Sequence, residues 1–257
     1  PVDIAENEES RKAYRRASTE VHNLQAQEFR KSCRTRMTME AVARFKDRDK
    51  FYIPWSFDYR GRAYPIPSFL TPQDTDFGKS LLLFAEGSEM TNEAKKWLSF
   101  QVATTFGLDK ATIEERWEWT DNNTHLISCV ASDPILHIHE WETADEPWQF
   151  LAACDEYYHC VLKRDRSLTT LCVATDATCS GLQILAGLAR DKNTAKLVNV
   201  LPSDRPQDAY KVVAEQASPH CPKSIRPYMD RKTVKRVVMT VPYNAKPFSN
   251  RGYIKDA

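Results

Sequence analysis

The sequence predicts a mostly helical α+β fold, and three observations carry that expectation. Charged stretches with spaced apolar residues dominate both ends of the chain. The clearest strand-like run, "SLTTLCVAT" at 167–175, is short, apolar and β-branched. Between residues 51 and 88 aromatics, Pro and Gly crowd together and periodicity is lost, which reads as loop and short strand.

Taken in order, residues 6–47 place Val21, Leu24, Phe29, Met37, Ala41 and Phe45 among many charges, which predicts two consecutive surface helices. Thr91 is placed to cap a helix through Phe106. Thr112 and Glu115 form a capping-box pair for another helix to about Val130. A further helix is expected over 147–162, followed by the strand at 167–175 and then a turn that carries Asp176. Ser180 and Gln183 fit a second capping box, with Leu182, Leu185, Ala186 and Ala189 at helical spacing behind it. Helices at about 206–217 and 227–241 complete the reading, and Pro242, lacking an amide donor, should kink or end the last one.

With 257 residues and 42% hydrophobic content, the chain can bury a sizeable core as one large domain or two small ones. Its 36 Lys and Arg against 35 Asp and Glu give a net charge of +1, so any basic surface must be local. Seven cysteines without a CxxC pair fit free thiols in a reducing compartment and disfavour a zinc site. No apolar run is long enough to span a membrane and the N-terminus does not read as a signal peptide. A start at Pro1 and an end inside a helix-like "NRGYIKDA" suggest an internal piece of a longer protein.

Three constellations could carry chemistry. Arg231, Lys235, Met239 and Tyr243 are spaced by four, so they drift only about 40° per step and form one helical stripe. Two cations followed by an aromatic suit a triphosphate with sugar and base at its far end, although a solvated stripe backed by Val234, Val237, Val238 and Val241 accounts for the same spacing. Asp176 is either a turn residue or a magnesium ligand held at a strand edge, with Ala177, Cys179 and Gly181 leaving room for another molecule. In "FDYRGRAYPIP", Arg60, Arg62 and Tyr64 interleave cations and aromatics as phosphate contact and base stacking require; a core loop with arginines paired to Asp58 or Asp74 is the alternative.

The segments "FDYRGRAYPIP", "SLLLFAEG", "DATCSGLQ", "NVLPSDRPQDAYKVVA" and "RKTVKRVVMTVPYNAK", in this order, resemble the single-subunit, bacteriophage-type DNA-dependent RNA polymerases, which include the mitochondrial enzyme. The resemblance runs from about residue 45 to the end. It implies part of a right-hand polymerase, with a helical lead-in at 1–50, palm and inserted helices at 51–225 and the start of the fingers at 226–257. Asp176 is then similar to the first metal-binding aspartate, with the backbone carbonyl of Ala177 also facing a metal. Lys235 is similar to the catalytic fingers lysine, Arg231 to the triphosphate-binding arginine and Tyr243 to the tyrosine that checks the incoming sugar, with Met239 on the same nucleotide-binding stripe. Lys110 and Tyr210 match further nucleotide-site positions, and Arg60, Arg62, Tyr64 and Lys79 match the surroundings of the template.

The implied reaction is template-directed ribonucleotidyl transfer with two Mg2+ ions. Its partners would be a DNA template, ribonucleoside triphosphates and an RNA product, with no membrane, in an enzyme that is monomeric when complete. The host cytoplasm of a phage or the mitochondrial matrix would be its setting. Related DNA polymerases commonly place a glutamate five residues after the metal aspartate to exclude a 2′-hydroxyl; here Gly181 stands there, which points to ribonucleotides. Departures from the pattern are Pro242 before the tyrosine, Asn244 after it and Cys172 in place of a common proline. An "HDS"-like motif with the second catalytic aspartate is absent, so this chain alone is expected not to polymerise. A family A DNA polymerase fragment and a non-catalytic nucleic-acid-binding remnant are the alternatives.

Overall fold

A computed structural model describes residues 3–59, 61–175 and 179–255. Among them the chain is mostly helical, with two small two-stranded antiparallel sheets. It falls into two compact units, one of residues 1–109 and 114–173, the other of residues 110–113 and 174–257.

In the first unit, helix α1 (Glu8–Phe45) is one helix of 38 residues rather than the two expected. No Gly or Pro interrupts it, and the Asn7 side chain caps it by accepting from the N–H groups of Glu9 and Ser10. Thr38 is its buried residue. The helix is clamped near its C-terminal end by Asp74. One Asp74 oxygen accepts from Arg34 Nε at 2.9 Å and Nη2 at 2.7 Å and from the Thr75 N–H at 2.7 Å. The other oxygen accepts from the Leu70 N–H at 2.9 Å.

A hairpin of β1 (Trp55–Phe57) and β2 (Ala63–Pro65) follows, with Ser56 opposite Tyr64. Its turn uses Gly61 at φ 77°, and Asp58 accepts the Arg62 N–H at 3.0 Å. Next come the short helix α2 (Asp76–Ser80), strand β3 (Leu83–Glu89) and helix α3 (Asn92–Phe106). Thr91 caps α3 as expected, accepting from Ala94 N, and Gly107 at φ 138° closes it.

The single helix expected to about Val130 is instead two, α4 (Ile113–Asn122) and α5 (Thr124–Ser132). Between them Asn123 turns its side-chain amide onto the Trp119 carbonyl at 2.7 Å, a local bond that competes with the helical ladder. After α6 (Ile138–Trp141), α7 (Pro147–Tyr157) runs into a π-turn at Tyr158–Leu162. Strand β4 (Leu168–Leu171) pairs with β3, with a register shift between Leu83 and Ser88.

Leu98, Val102, Ile127, Val130, Phe150 and Tyr157 centre the first unit's core. Buried Glu156 ties β4 to α7 by accepting from Thr169 Oγ1 at 2.7 Å and the Thr170 N–H at 2.9 Å, while Arg166 pairs with it at 3.2 Å. Burial pushes the Tyr157 hydroxyl up to about 12 and the Cys160 thiol up to about 11.

The second unit holds α8 (Ser180–Ala189), α9 (Lys192–Leu197), α10 (Ala209–Ala217), α11 (Arg231–Thr240) and α12 (Pro247–Lys255). Two small clusters serve as its core: Ala186, Ala195, Val198 and Ala209, and Tyr210, Ala214 and Val234. All seven cysteines are free thiols. No helix among the described residues is long and apolar enough to cross a membrane.

Candidate functional site

The expected strand edge for Asp176 is shorter than the sequence predicts. β4 ends at Leu171, and the Cys172 thiol reaches back to the Leu82 carbonyl at 3.7 Å. Asp176 and Ala177, the expected metal ligands, lie outside the described residues, as does Arg60. Among the described residues no group of three or more His, Cys, Asp or Glu could hold a metal.

Helix α8 does not start with the predicted Ser180–Gln183 box. Cys179 takes the cap position in a left-handed conformation at φ 46°, and Ser180 is already helical. Gln183 is drawn elsewhere, donating from Nε2 to the Val198 carbonyl at 2.8 Å. Gly181 therefore sits in the first turn, facing the end of α11. A Cβ added there would lie 3.1 Å from the Tyr243 hydroxyl oxygen and 3.4 Å from Pro242 Cβ.

The far end of α11 follows the expectation set by Pro242. The α-helix stops at Thr240, a 3₁₀ turn spans Val241–Tyr243, and Asn244 closes it in the left-handed region at φ 64°. Tyr243 is thus held by a stiff turn while the residue remains 57% exposed. Lys235 and Met239 face outward on α11, and Val234 is the buried residue behind them. Val241, expected on the buried side, is exposed.

At the start of α11, Asp230 caps the helix by accepting from the Thr233 N–H at 2.9 Å. Arg231 is not the bare cation the stripe implied. Its Nε donates to Asp208 Oδ2 at 2.5 Å, and its guanidinium lies 5.7 Å from the centroid of the Tyr210 ring. Asp208 also caps α10, its Oδ1 accepting from the N–H groups of Tyr210 at 3.0 Å and Lys211 at 3.2 Å. Burial pushes the Asp208 carboxyl up, but Arg231 and the two amides outweigh it, and the group sits below its ordinary value. Burial raises the Tyr210 hydroxyl, and the nearby Cys179 thiol adds to the shift.

The second unit thus brings together Gly181 with Tyr243, and Tyr210 with Arg231, and carries Lys235 and Met239 on the same helix. Lys110 belongs to it as well, since residues 110–113 group with this unit rather than with their neighbours in sequence. Arg62, Tyr64 and Lys79 belong to the first unit. There Arg62 and Tyr64 are exposed on the hairpin and Lys79 is half-buried in α2. Exposed Tyr52, Phe57 and Tyr59 add aromatic faces around that hairpin. Asp74, one alternative partner for those arginines, is taken by Arg34 instead.

Sequence reasoning missed Asp208 and Cys179. An N-cap signal was readable in Asp208, an acid directly ahead of a helical run. Its partner Arg231, 23 residues away, was not readable from local spacing.

Comparison with known proteins gives the arrangement a family. Residues 88–257 match the DNA-dependent RNA polymerase family. The chain is 34% identical over 223 residues to the mitochondrial DNA-directed RNA polymerase of Neurospora crassa, covering 82% of this chain and 16% of that protein. It is 33% identical over 221 residues to the DNA-directed RNA polymerase of Enterobacteria phage K11, covering 85% of this chain and 24% of the relative. Against the mitochondrial enzyme of Mus musculus it is 35% identical over 214 residues, 78% of this chain and 18% of the relative. The chain therefore spans a quarter or less of the length of these curated relatives. It belongs to the family of DNA-dependent RNA polymerases, in its phage and mitochondrial single-subunit branch.

Proposed function

We propose that this chain supplies the nucleotide-binding part of the catalytic centre of a DNA-directed RNA polymerase. In this reading 1–50 is a helical lead-in, 51–225 palm with inserted helices, and 226–257 the start of the fingers. The observation that supports it best is the convergence in the second unit. The first turn of α8, which follows Asp176 in sequence, abuts Tyr243 at Gly181, while α11 carries Arg231, held by Asp208, and exposed Lys235.

The chemistry follows from the groups. Arg231, at the N-terminal end of α11 where the helix dipole favours anions, and Lys235, one turn further on, would take the triphosphate of a ribonucleoside triphosphate. Lys235 would give a proton to the departing pyrophosphate. Tyr243 and Gly181 would bracket the sugar, with Met239 beside them, and Lys110 and Tyr210 would complete the nucleotide pocket. Arg60, Arg62, Tyr64 and Lys79 would face the DNA template through phosphate contact and stacking.

Asp176 and the Ala177 carbonyl offer oxygen donors of the kind a hard cation takes, so they fit one part of a Mg2+ site. Bound Mg2+ would neutralise charge on the reacting phosphates. Two ions need a second carboxylate, and the chain alone should not polymerise. A family A DNA polymerase fragment is disfavoured by Gly181, which leaves a ribose hydroxyl unobstructed.

The test is Asp176→Asn in the complete polymerase that carries this segment. RNA synthesis should fall by at least about a hundredfold, as for loss of a group that stabilises transition-state charge. Synthesis near the wild-type rate would sink the metal assignment and favour a non-catalytic nucleic-acid-binding role.

A further inference from the structure

We infer that Asp208 is a positioning residue, which holds the Arg231 guanidinium by its Nε so that the two Nη groups face an incoming triphosphate. The inference rests on the reading of Arg231 as a triphosphate ligand. Its physical content is a division of labour within one carboxylate and within one guanidinium.

Asp208 uses both oxygens. Oδ1 is committed to the first turn of α10 through the N–H groups of Tyr210 and Lys211. That commitment fixes where Oδ2 points, and Oδ2 receives Arg231 Nε at 2.5 Å. The frame around the pair is closed by packing. Tyr210 and Ala214 of α10 and Val234 of α11 form one buried cluster, so the two helices that carry Asp208 and Arg231 are held against each other. The Tyr210 ring, 5.7 Å from the guanidinium carbon, borders the cation on another side.

A guanidinium presents five N–H donors in a planar fork, and Nε points away from the edge formed by the two Nη groups. Holding Nε leaves that edge for a phosphate, which Arg takes bidentately. Among the described residues neither Nη makes a hydrogen bond in this structure. The carboxylate therefore does not compete for the donors a phosphate would use. It removes rotamer freedom from a long side chain before binding, so less is lost when the ligand arrives. The opposing effect is repulsion between the carboxylate and the phosphate. The two effects predict opposite signs for loss of the charge.

Asn caps helices as well as Asp, so Asp208→Asn separates the two tasks of this side chain. With its oxygen kept on the α10 amides, the Asn Nδ2 would face Arg231 Nε, donor against donor, and the clamp would open. The experiment titrates inorganic tripolyphosphate into the 257-residue chain by calorimetry, without metal. Wild type should bind, and Asp208→Asn should bind about tenfold more weakly, the scale of one long side chain's rotamer freedom. Its thermal midpoint should stay within about 1 °C of wild type, whereas Asp208→Ala should lose the same affinity and also about 3 °C through the missing cap.

In an Arg231→Gln background, Asp208→Asn should change affinity by less than about twofold, because a positioning residue acts only through its partner. Equal or tighter binding by Asp208→Asn overturns the inference, as does an undiminished effect in the Arg231→Gln background. If wild type does not bind, or Arg231→Gln binds as wild type does, the reading of Arg231 itself has failed and the inference falls with it.

Discussion

The first unit buries a continuous cluster that includes Leu98, Val102, Ile127, Val130, Phe150 and Tyr157, each at 2% exposure or less. The second unit relies on two small clusters in which alanines predominate. Shifted titratable groups of both kinds occur in each unit, since Lys163 and His159 lower Asp165 in the first and burial raises Tyr210 in the second, but their balance differs. Burial keeps Cys154, Cys160 and Tyr157 of the first unit neutral by raising them. In the second unit Asp191, Asp208 and Asp230 are lowered, and helix amides, Thr hydroxyls or Arg231 keep them charged. The first unit has the larger apolar core; in the second, with smaller clusters to bury, directional bonds around charges carry a greater share of the order. Such order suits the nucleotide-binding role proposed for the second unit, because a polar ligand needs charged groups that remain accessible.

Truncation should break this comparison most strongly. Phe150→Ala, at a fully buried position against Phe106, should cost about 3–5 kcal/mol. Val234→Ala in the second unit should cost about 1–2 kcal/mol, because few large side chains surround it. All six tryptophans lie in the first unit, so their fluorescence isolates it, and far-ultraviolet circular dichroism reports both. Equal costs for the two variants would show that the second unit's core is as demanding as the first's.

A smaller effect is expected at Gly181. Ala there brings a methyl to 3.1 Å from the Tyr243 hydroxyl, a contact the half-exposed ring can relieve by shifting a few tenths of an ångström. Stability should change by less than about 1 kcal/mol. In the complete polymerase, however, the preference for ribonucleotides over deoxynucleotides should fall by about tenfold, measured by direct competition, if the methyl takes the room proposed for the 2′-hydroxyl. An unchanged ratio would separate Gly181 from sugar selection.

The smallest effects are those of pH, and their signs differ between buried neutral groups and paired carboxylates. Cys160 and Tyr157 have folded-state values raised to about 11 and about 12, so their contribution is complete below the unfolded values and fades as pH rises through about 9 to 12. Asp191, Asp208 and Asp230 are lowered, so theirs is complete above about pH 4 and fades as pH falls below it. Alkali should therefore shift tryptophan fluorescence as Cys160 and Tyr157 ionise. Acid should weaken tripolyphosphate binding through the carboxylates.

Legibility followed the range over which each feature is decided. Thr91 caps α3 and Pro242 with Asn244 ends α11 because a few adjacent residues settle both, and both were readable. The unbroken α1 and the split at Asn123 were misjudged, since periodicity alone does not say whether a helical ladder continues or a side chain interrupts it. The Ser180 box had the right letters, yet Gln183 answers to a carbonyl 15 residues away and Cys179 starts the helix. In the site, the placing of Arg231, Lys235 and Met239 on one helix could be read from spacing, whereas Tyr243 lies in the 3₁₀ turn beyond its end. The approach of Gly181 to Tyr243 and the clamp of Asp208 on Arg231 depend on how helices pack, which no local pattern encodes.

The length of α1 gives one carboxylate mechanical leverage. At about 1.5 Å per residue the helix extends about 57 Å, and the arm from Arg34 back to Glu8 accounts for about 39 Å of it. The grip of Asp74 on Arg34 is the fulcrum of a beam fixed near one end. A tilt of about 5° at that point sweeps the far tip through about 3 Å, roughly the rise of two residues. Small adjustments in the loop around residues 68–75 are thus amplified along the helix, and loosening Asp74 would be felt most at the end farthest from it.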